Sequence, residues 1–248
     1  MNIPYNRDRE IRMHARTNKI SVAAIVLAAG KGERFGKDQP KQFRKISGKE
    51  MYRYSVESLL RHPRVHEVIL VVPENRLSGM LQAARGIDPE RMKVVAGKDT
   101  RQGSSRAGLH AVSAQISHVL IHDAARPRFS RKLLNRILDA LLQADAVVPA
   151  IDVTDTLVRL ERQGEVDAFP DRLCYKRLQT PQGFRLSVIR EAHERAMNDA
   201  AGIRATDDAG LVHHYKLATV LLVPGELGNI KITTPEDLEG FKKSWIVG

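Results

Sequence analysis

Short apolar runs rich in β-branched residues recur along the chain, at Val22–Ala29, Glu67–Pro73, Met92–Gly97, His118–Ala125 and Ala146–Ile151. Between them lie stretches whose apolar positions fall at helical spacing, such as Met51–Arg61 and Ser130–Ala144. A strand that is apolar without alternation is buried on both faces. The rhythm therefore predicts an α/β protein with a Rossmann-like, mainly parallel sheet flanked by helices, whose ligands bind just beyond the carboxyl ends of the strands.

From Asp152 to Gln179 the rhythm breaks. Thr156–Leu160, a turn at Gln163-Gly164, Glu165–Phe169 and Arg172–Gln179 predict extended segments that leave the sheet as a protruding β-arm over about 152–175. Such an arm exposes Leu157, Val158, Leu160, Phe169 and Tyr175 and calls for a partner surface, so a homodimer is expected. Helical spacing returns at Ser187–Ala200, followed by strands at Leu217–Pro224 and Asn229–Thr233. A last helix is announced by Thr234-Pro235-Glu236-Asp237, with an N-cap threonine, proline in the first position and acids in the first turn.

Composition narrows the class. An apolar share of 42% over 248 residues is enough for a proper core, and the expected organisation is a basic extension at 1–20 ahead of a single domain at 21–248. The run Val22–Ala29 is far shorter than the roughly 20 residues of a membrane-spanning helix, and the N-terminus lacks a signal-peptide apolar core; a cytoplasmic protein with no membrane partner is expected. Cys174 is the only cysteine, which excludes an intramolecular disulfide and a cysteine-rich zinc site.

Forty Lys and Arg against 29 Asp and Glu leave a net charge of +11, so an anionic partner is implied: nucleic acid, membrane surface or a small phosphorylated substrate. Part of the excess, Arg7, Arg9, Arg12, Arg16 and Lys19, lies in the N-terminal extension and is read as a solvated arm. A nucleic-acid-binding protein would interleave its cations with aromatics for stacking. Here aromatics are 5% of the chain and the cations follow strand ends, so no specific nucleic-acid partner is expected.

The densest candidate chemistry is Leu27–Phe43, LAAGKGERFGKDQPKQF. It is not a Walker loop, because Gly36-Lys37 is followed by Asp38 and neither Gly30 nor Gly32 has the required spacing. It is not a dinucleotide fingerprint, because Gly30, Gly32 and Gly36 put three residues in the second gap. What remains is a strand, a glycine turn whose N–H groups can approach phosphate, Arg34 beside it, and Lys41 behind the stiff Pro40. Two cations converging on a phosphate suit phosphoryl or nucleotidyl transfer, where neutralising developing charge is most of the work.

Leu27-Ala-Ala-Gly-x-Gly-x-Arg34 with Pro40-Lys41-Gln42 resembles the nucleotidyltransferases that activate sugars and polyols. His122-Asp-Ala-Ala-Arg-Pro127, Asp155-Thr156, Gln179-Thr-Pro-Gln182 and Asn229-Ile-Lys231-x-Thr-x-Pro-Glu-Asp-Leu238 extend the likeness to the 2-C-methyl-D-erythritol 4-phosphate cytidylyltransferases, over roughly residues 22 to 243. The resemblance implies the nucleotide-diphospho-sugar transferase fold. It also implies transfer of a cytidylyl group from CTP to methylerythritol phosphate with release of pyrophosphate, with Mg2+ bound mainly through CTP phosphates and no dedicated protein metal ligand. A sister activity on ribitol 5-phosphate shares the CTP site; the second alanine of His-Asp-Ala-Ala-Arg-Pro favours methylerythritol.

By that resemblance Arg34 and Lys41 stabilise the transition state, and Ala28, Ala29, Gly30 and Gly32 line the nucleotide. Gly97–Ser104 resembles the cytosine-reading loop, with Asp99 and Ser104 carried over; Lys98 stands where the family usually has a glycine and Ser105 where it often has valine. Asp123, with Ala124, Arg126 and Thr180 near it, is placed around the second substrate, although a helix cap or an ion pair with Arg126 would equally explain Asp123. Thr156, Arg172 and Lys231 match positions that hold the methylerythritol phosphate, the first two reaching in from the partner subunit's arm. Asp207-Asp208 also resembles a family stretch, yet a helix N-terminus explains acids there. His213-His214 is read as two histidines facing different ways rather than a metal pair.

Overall fold

Strand β1 (Val22–Leu27) shows why its sequence is apolar throughout. Val22, Ala24 and Val26 pack into one core while Ala23 and Ile25 pack into another on the opposite face. In this computed structural model of the protein, residues 20–30, 35, 40–162, 164–200, 202–203 and 205–246 are described. A hairpin of β2 (Lys45–Ile46) and β3 (Lys49–Glu50) follows β1, its tight turn supplied by Ser47 and Gly48 at φ 48° and 82°.

The sheet then builds outward. Helix α1 (Met51–Leu60) leads to β4 (Val65–Val72), parallel to β1, and α2 (Leu77–Arg85) leads to β5 (Met92–Ala96) at the edge. Helix α3 (Arg101–His110) brings the chain back to β6 (His118–Asp123) on the other side of β1. After α4 (Arg131–Ala140) come β7 (Ala146–Asp152), the small hairpin β8 (Arg159–Leu160) and β9 (Val166–Ala168), and β10 (Lys176–Leu178). Strand β11 (Gln182–Arg185) runs antiparallel between β6 and β7, and β12 (Val220–Pro224) pairs parallel to β7. Helices α5 (Leu186–Asn198) and α6 (Asp208–His214) lie between β11 and β12, and α7 (Pro235–Ile246) ends the described chain.

One core layer takes side chains of α1, α2 and α4, the other those of α3, α5 and α6, so the sheet is covered on both faces as its strands require. Chain order reverses between β1 and β6: the path runs outward to β4 and β5, then returns. That reversal opens a crevice at the carboxyl ends of the two strands. A third apolar cluster, Phe35, Ile46, Met51, Ile232, Leu238 and Phe241, anchors α7 and the segment before it beside this crevice.

Several expectations are corrected. Arg172–Gln179 does not wholly leave the sheet: β10 pairs with Ala150–Asp152 of β7, and only the stretch before it, with the β8–β9 hairpin, stands apart. The antiparallel β11 lay outside every predicted segment, since its pairing is to strands far along the chain. Asn229–Thr233 is not a strand; it is held by single hydrogen bonds, Ile232 N–H to the Ala125 carbonyl at 2.9 Å and Asn229 Nδ2 to the Thr180 carbonyl at 2.9 Å. Helix α3 includes the second half of the stretch read as a loop. Its Gly103 and Gly108 are there for close approach: a Cβ on Gly108 would fall 2.5 Å from Ile25 of β1. No described helix is long and apolar enough to cross a membrane.

Candidate active site

At the β1 carboxyl end the chain turns through Ala28, Ala29 and Gly30. Gln42, buried and polar, donates from Nε2 to the carbonyls of Ala28 (2.6 Å) and Gly30 (2.8 Å), so both carbonyls have a fixed partner. Ala28 itself has its side chain in the core and can meet a ligand only through its backbone. Lys41, in the 3-10 turn Lys41–Phe43 that Pro40 starts, sends Nζ to the Ile232 carbonyl at 2.7 Å. Gly32 and Arg34 lie outside the described residues.

After β5, Gly97 presses against Ala29; a Cβ on it would fall 2.3 Å from the Ala29 Cβ. Lys98 keeps a negative φ, as its Cβ requires: the non-glycine residues at positive φ among those described are Ser47 and Lys216. Ser104 closes this loop, its hydroxyl accepting from Lys98 N–H at 3.0 Å and donating to the Lys98 carbonyl at 3.1 Å. Thr100 caps α3 by accepting the Gly103 N–H at 2.9 Å. Asp99 faces the crevice from the loop between them.

The polar centre is Asp123, the last residue of β6. Its Oδ1 accepts from Arg101 Nε at 3.2 Å and its Oδ2 from Lys231 Nζ at 2.7 Å. Burial pushes the Asp123 carboxyl up, but Arg101 and Lys231 outweigh it and hold the group far below the usual carboxylate range. Arg101 also donates from Nη1 to Oδ2 of Asp208, at 2.7 Å, the first residue of α6. The other Asp208 oxygen accepts from the Ser105 hydroxyl (2.6 Å) and lies 2.9 Å from His193 Nε2. Burial raises Asp208, yet Arg101 first and then His193 and Ser105 bring it down to about 2. Burial likewise works against the charge on Arg101, and the two carboxylates reverse it, raising its pKa.

A wall of neutral polar groups fixes the end of β6. His122 Nε2 lies 3.0 Å from the Arg126 carbonyl, which can only accept, so Nε2 carries the proton and Nδ1 accepts from the Thr180 hydroxyl at 3.0 Å. Thr180 in turn accepts the Asp123 N–H at 3.1 Å, just before a cis peptide bond to Pro181. Burial lowers the His122 pKa to about 4, so the ring is neutral near pH 7. Arg126 is not the partner of the Asp123 carboxylate. It donates to the carbonyls of Asn229 (2.7 Å) and Leu178 (3.3 Å), and burial lowers its pKa.

These elements enclose a cavity of about 390 Å3 that touches Ala29, Gly30, Lys41, Asp99, Ser104, Asp123 and Lys231, all named from the sequence. Arg101, Lys98 and Gln42 join them. Four cationic side chains face two carboxylates, so the cavity favours a polyanion. Ala124 and Thr180 are buried behind it and support it, whereas Thr156 and Arg172 sit exposed on the arm, where Arg172 Nη1 donates to the Thr154 carbonyl at 2.8 Å. Sequence reasoning missed Gln42, Arg101 and Asp208 as site residues. Gln42 stood inside a quoted motif, but its partners are backbone carbonyls. Among the described residues no group of three or more His, Cys, Asp or Glu side chains could hold a metal ion, and both Asp123 oxygens are taken by cations.

Comparison with known proteins gives a consistent picture. Residues 22–242 match the family model described as "IspD: 2-C-methyl-D-erythritol 4-phosphate cytidylyltransferase". A bifunctional enzyme IspD/IspF of Nitrobacter winogradskyi is 43% identical over 217 residues, 87% of this chain and 53% of that protein. Its counterpart in Bradyrhizobium diazoefficiens is 40% identical over 216 residues, again 87% and 53%. The chain spans about half the length of these curated relatives. Among solved structures, a 4-diphosphocytidyl-2C-methyl-D-erythritol synthase of Anaerococcus prevotii superposes with TM-score 0.81 at 28% identity, covering 93% of this chain and 97% of that one. The 2-C-methyl-D-erythritol 4-phosphate cytidylyltransferase of Thermus thermophilus gives 0.71 at 31%, covering 90% and 98%.

Proposed function

The chain belongs to the IspD family of 2-C-methyl-D-erythritol 4-phosphate cytidylyltransferases, and on that premise we propose that it transfers the cytidylyl group of CTP to 2-C-methyl-D-erythritol 4-phosphate, with release of pyrophosphate. The observation that carries this reading is the convergence of Lys41, Lys231 and Arg101 on a crevice at the β1–β6 reversal, beside a turn of small residues. A phosphate oxygen of the polyol phosphate forms a bond to the α-phosphorus of CTP. The bond from that phosphorus to the bridging oxygen breaks, its electron pair leaving with pyrophosphate. The nucleophile is already an anion, so no base has to act on it. What opposes the reaction is repulsion between two polyanions, and fixed cations offset it.

In this reading Arg34 and Lys41 meet the charge developing at the α-phosphate, and Lys231 with Arg172 holds the attacking phosphate. The turn at 28–30 and the loop around Asp99 and Ser104 hold the nucleotide. Magnesium would enter on the triphosphate oxygens and supply charge neutralisation there. The arm exposes Val158, Leu160, Phe169, Leu173 and Tyr175. That apolar surface, together with the separation of Thr156 and Arg172 from their own chain's cavity, supports a homodimer in which each arm serves the other subunit's crevice.

The test is pyrophosphate release with each of the four nucleoside triphosphates against a panel of polyol phosphates. CTP with methylerythritol phosphate should be fastest; faster turnover of ribitol 5-phosphate would overturn the substrate, and equal use of all four triphosphates would overturn the nucleotide.

A further inference from the structure

Asp123 is bracketed by two cations that are held in different ways. Arg101 is gripped from behind: Asp208 accepts from its Nη1 at 2.7 Å, and Asp208 is itself fixed by Ser105 at 2.6 Å and His193 at 2.9 Å, all three nearly free of solvent contact. Arg101 therefore spans two buried carboxylates from the first turn of a capped helix. Lys231 has one side-chain partner, Asp123 at 2.7 Å, and its side chain is 40% exposed on an irregular segment. One cation is held by two buried carboxylates and the other by a single one.

Resting on the function proposed above, we infer that Arg101, held by Asp208, is a positioning residue that keeps Asp123 ionised and oriented while Lys231 swings from Asp123 to the phosphate of the second substrate. When Lys231 goes, Asp123 would otherwise be a buried carboxylate without a cation, and such a group takes up a proton or turns away. Arg101 prevents that at no conformational cost, since its own geometry does not change. The charged and titratable groups facing the pair are His122 and Lys231 around Asp123, Arg126 nearby, and His193 behind Asp208. His122 is neutral at working pH and cannot take over the role.

The test is the pH dependence of the double variant Arg101→Gln/Asp208→Asn, in which neither partner is left as a lone buried charge. Its acid limb should move up by about one pH unit or more, and further in kcat than in kcat/KM, because kcat reports the complex in which Lys231 has left. A folded variant whose two profiles keep the wild-type limb overturns the inference. A second measurement needs no variant: a crystal structure of the wild-type protein with inorganic phosphate should show Lys231 Nζ moved off Asp123 and Arg101 still on both carboxylates. Arg101 leaving Asp123 while Lys231 stays overturns it equally. Absence of CTP-dependent pyrophosphate release in the wild type would instead sink the function, and the phosphate structure would still decide the swing.

Discussion

The crevice at the β1–β6 reversal and the arm beyond β7 are built on opposite terms. In the crevice, Asp123, Asp208, His122, Thr180 and Gln42 are buried and hydrogen-bonded within the one chain, and Lys41, Arg101 and Lys231 are tied to carboxylates or a carbonyl. On the arm, Phe169 is 72% and Leu173 81% exposed, and among the described residues the hairpin β8–β9 forms a two-stranded sheet of its own. The contrast teaches that the described charge pattern is assembled within one chain while the arm leaves an apolar surface uncovered, and in the proposed dimer that surface and Arg172 would meet a second subunit.

The largest break in that contrast would come from Lys41→Ala, expected to lower turnover by roughly 10² or more with the fold intact. Wild-type turnover in a variant of unchanged circular dichroism would take Lys41 out of the chemistry. Mixing this variant with Arg172→Ala sharpens the comparison: mixed dimers should regain activity that neither homodimer has, and confirmed heterodimers without it would argue against a crossed arm.

The scaffold behind the crevice is tested by pH. His122 titrates near 4 in the fold against 6.5 in the free side chain. The unfolded chain therefore binds the proton first, and stability falls as pH drops through that window, by on the order of 3 kcal/mol in all. Urea unfolding of the wild type at pH 7 and pH 4.5 should show the loss, and a His122→Gln variant should show a flatter profile; an equal slope in both would point to another group.

On the arm, Leu173→Asp should weaken association about tenfold or more while leaving the melting of the isolated chain nearly untouched, as read by sedimentation equilibrium and calorimetry. A dimer as tight as the wild type would move the interface elsewhere. The smallest effect is expected under the crevice: Thr234→Ala removes the hydroxyl that accepts the Asp237 N–H at 3.2 Å, and should cost about 1 kcal/mol of stability.

Much of this was legible in the chain. The apolar runs marked β1, β4, β5, β6 and β7 to within a residue or two, and Thr234-Pro235 marked the start of α7. Lys41, Asp99, Ser104, Asp123 and Lys231 line one cavity as their motifs suggested. What escaped was contact between distant residues. Arg101 and Asp208 are 107 positions apart, and no spacing rule links them. Ser105, to which no motif gave a role, finds its reason only in three dimensions, as a donor to Asp208. Helix α3 was obscured by its glycines, which look like breakers in a list of residues and act as clearance against β1 and the preceding loop.

The segment before α7 has a mechanical corollary. It carries Lys231 and, one residue on, offers the Ile232 carbonyl that tethers Lys41. Both ammonium groups thus ride on adjacent peptide units, like two pins on one slide. A displacement of that ribbon would therefore reach the root of one lysine and the tether of the other at once, coupling them through the backbone on top of any swing of the Lys231 side chain.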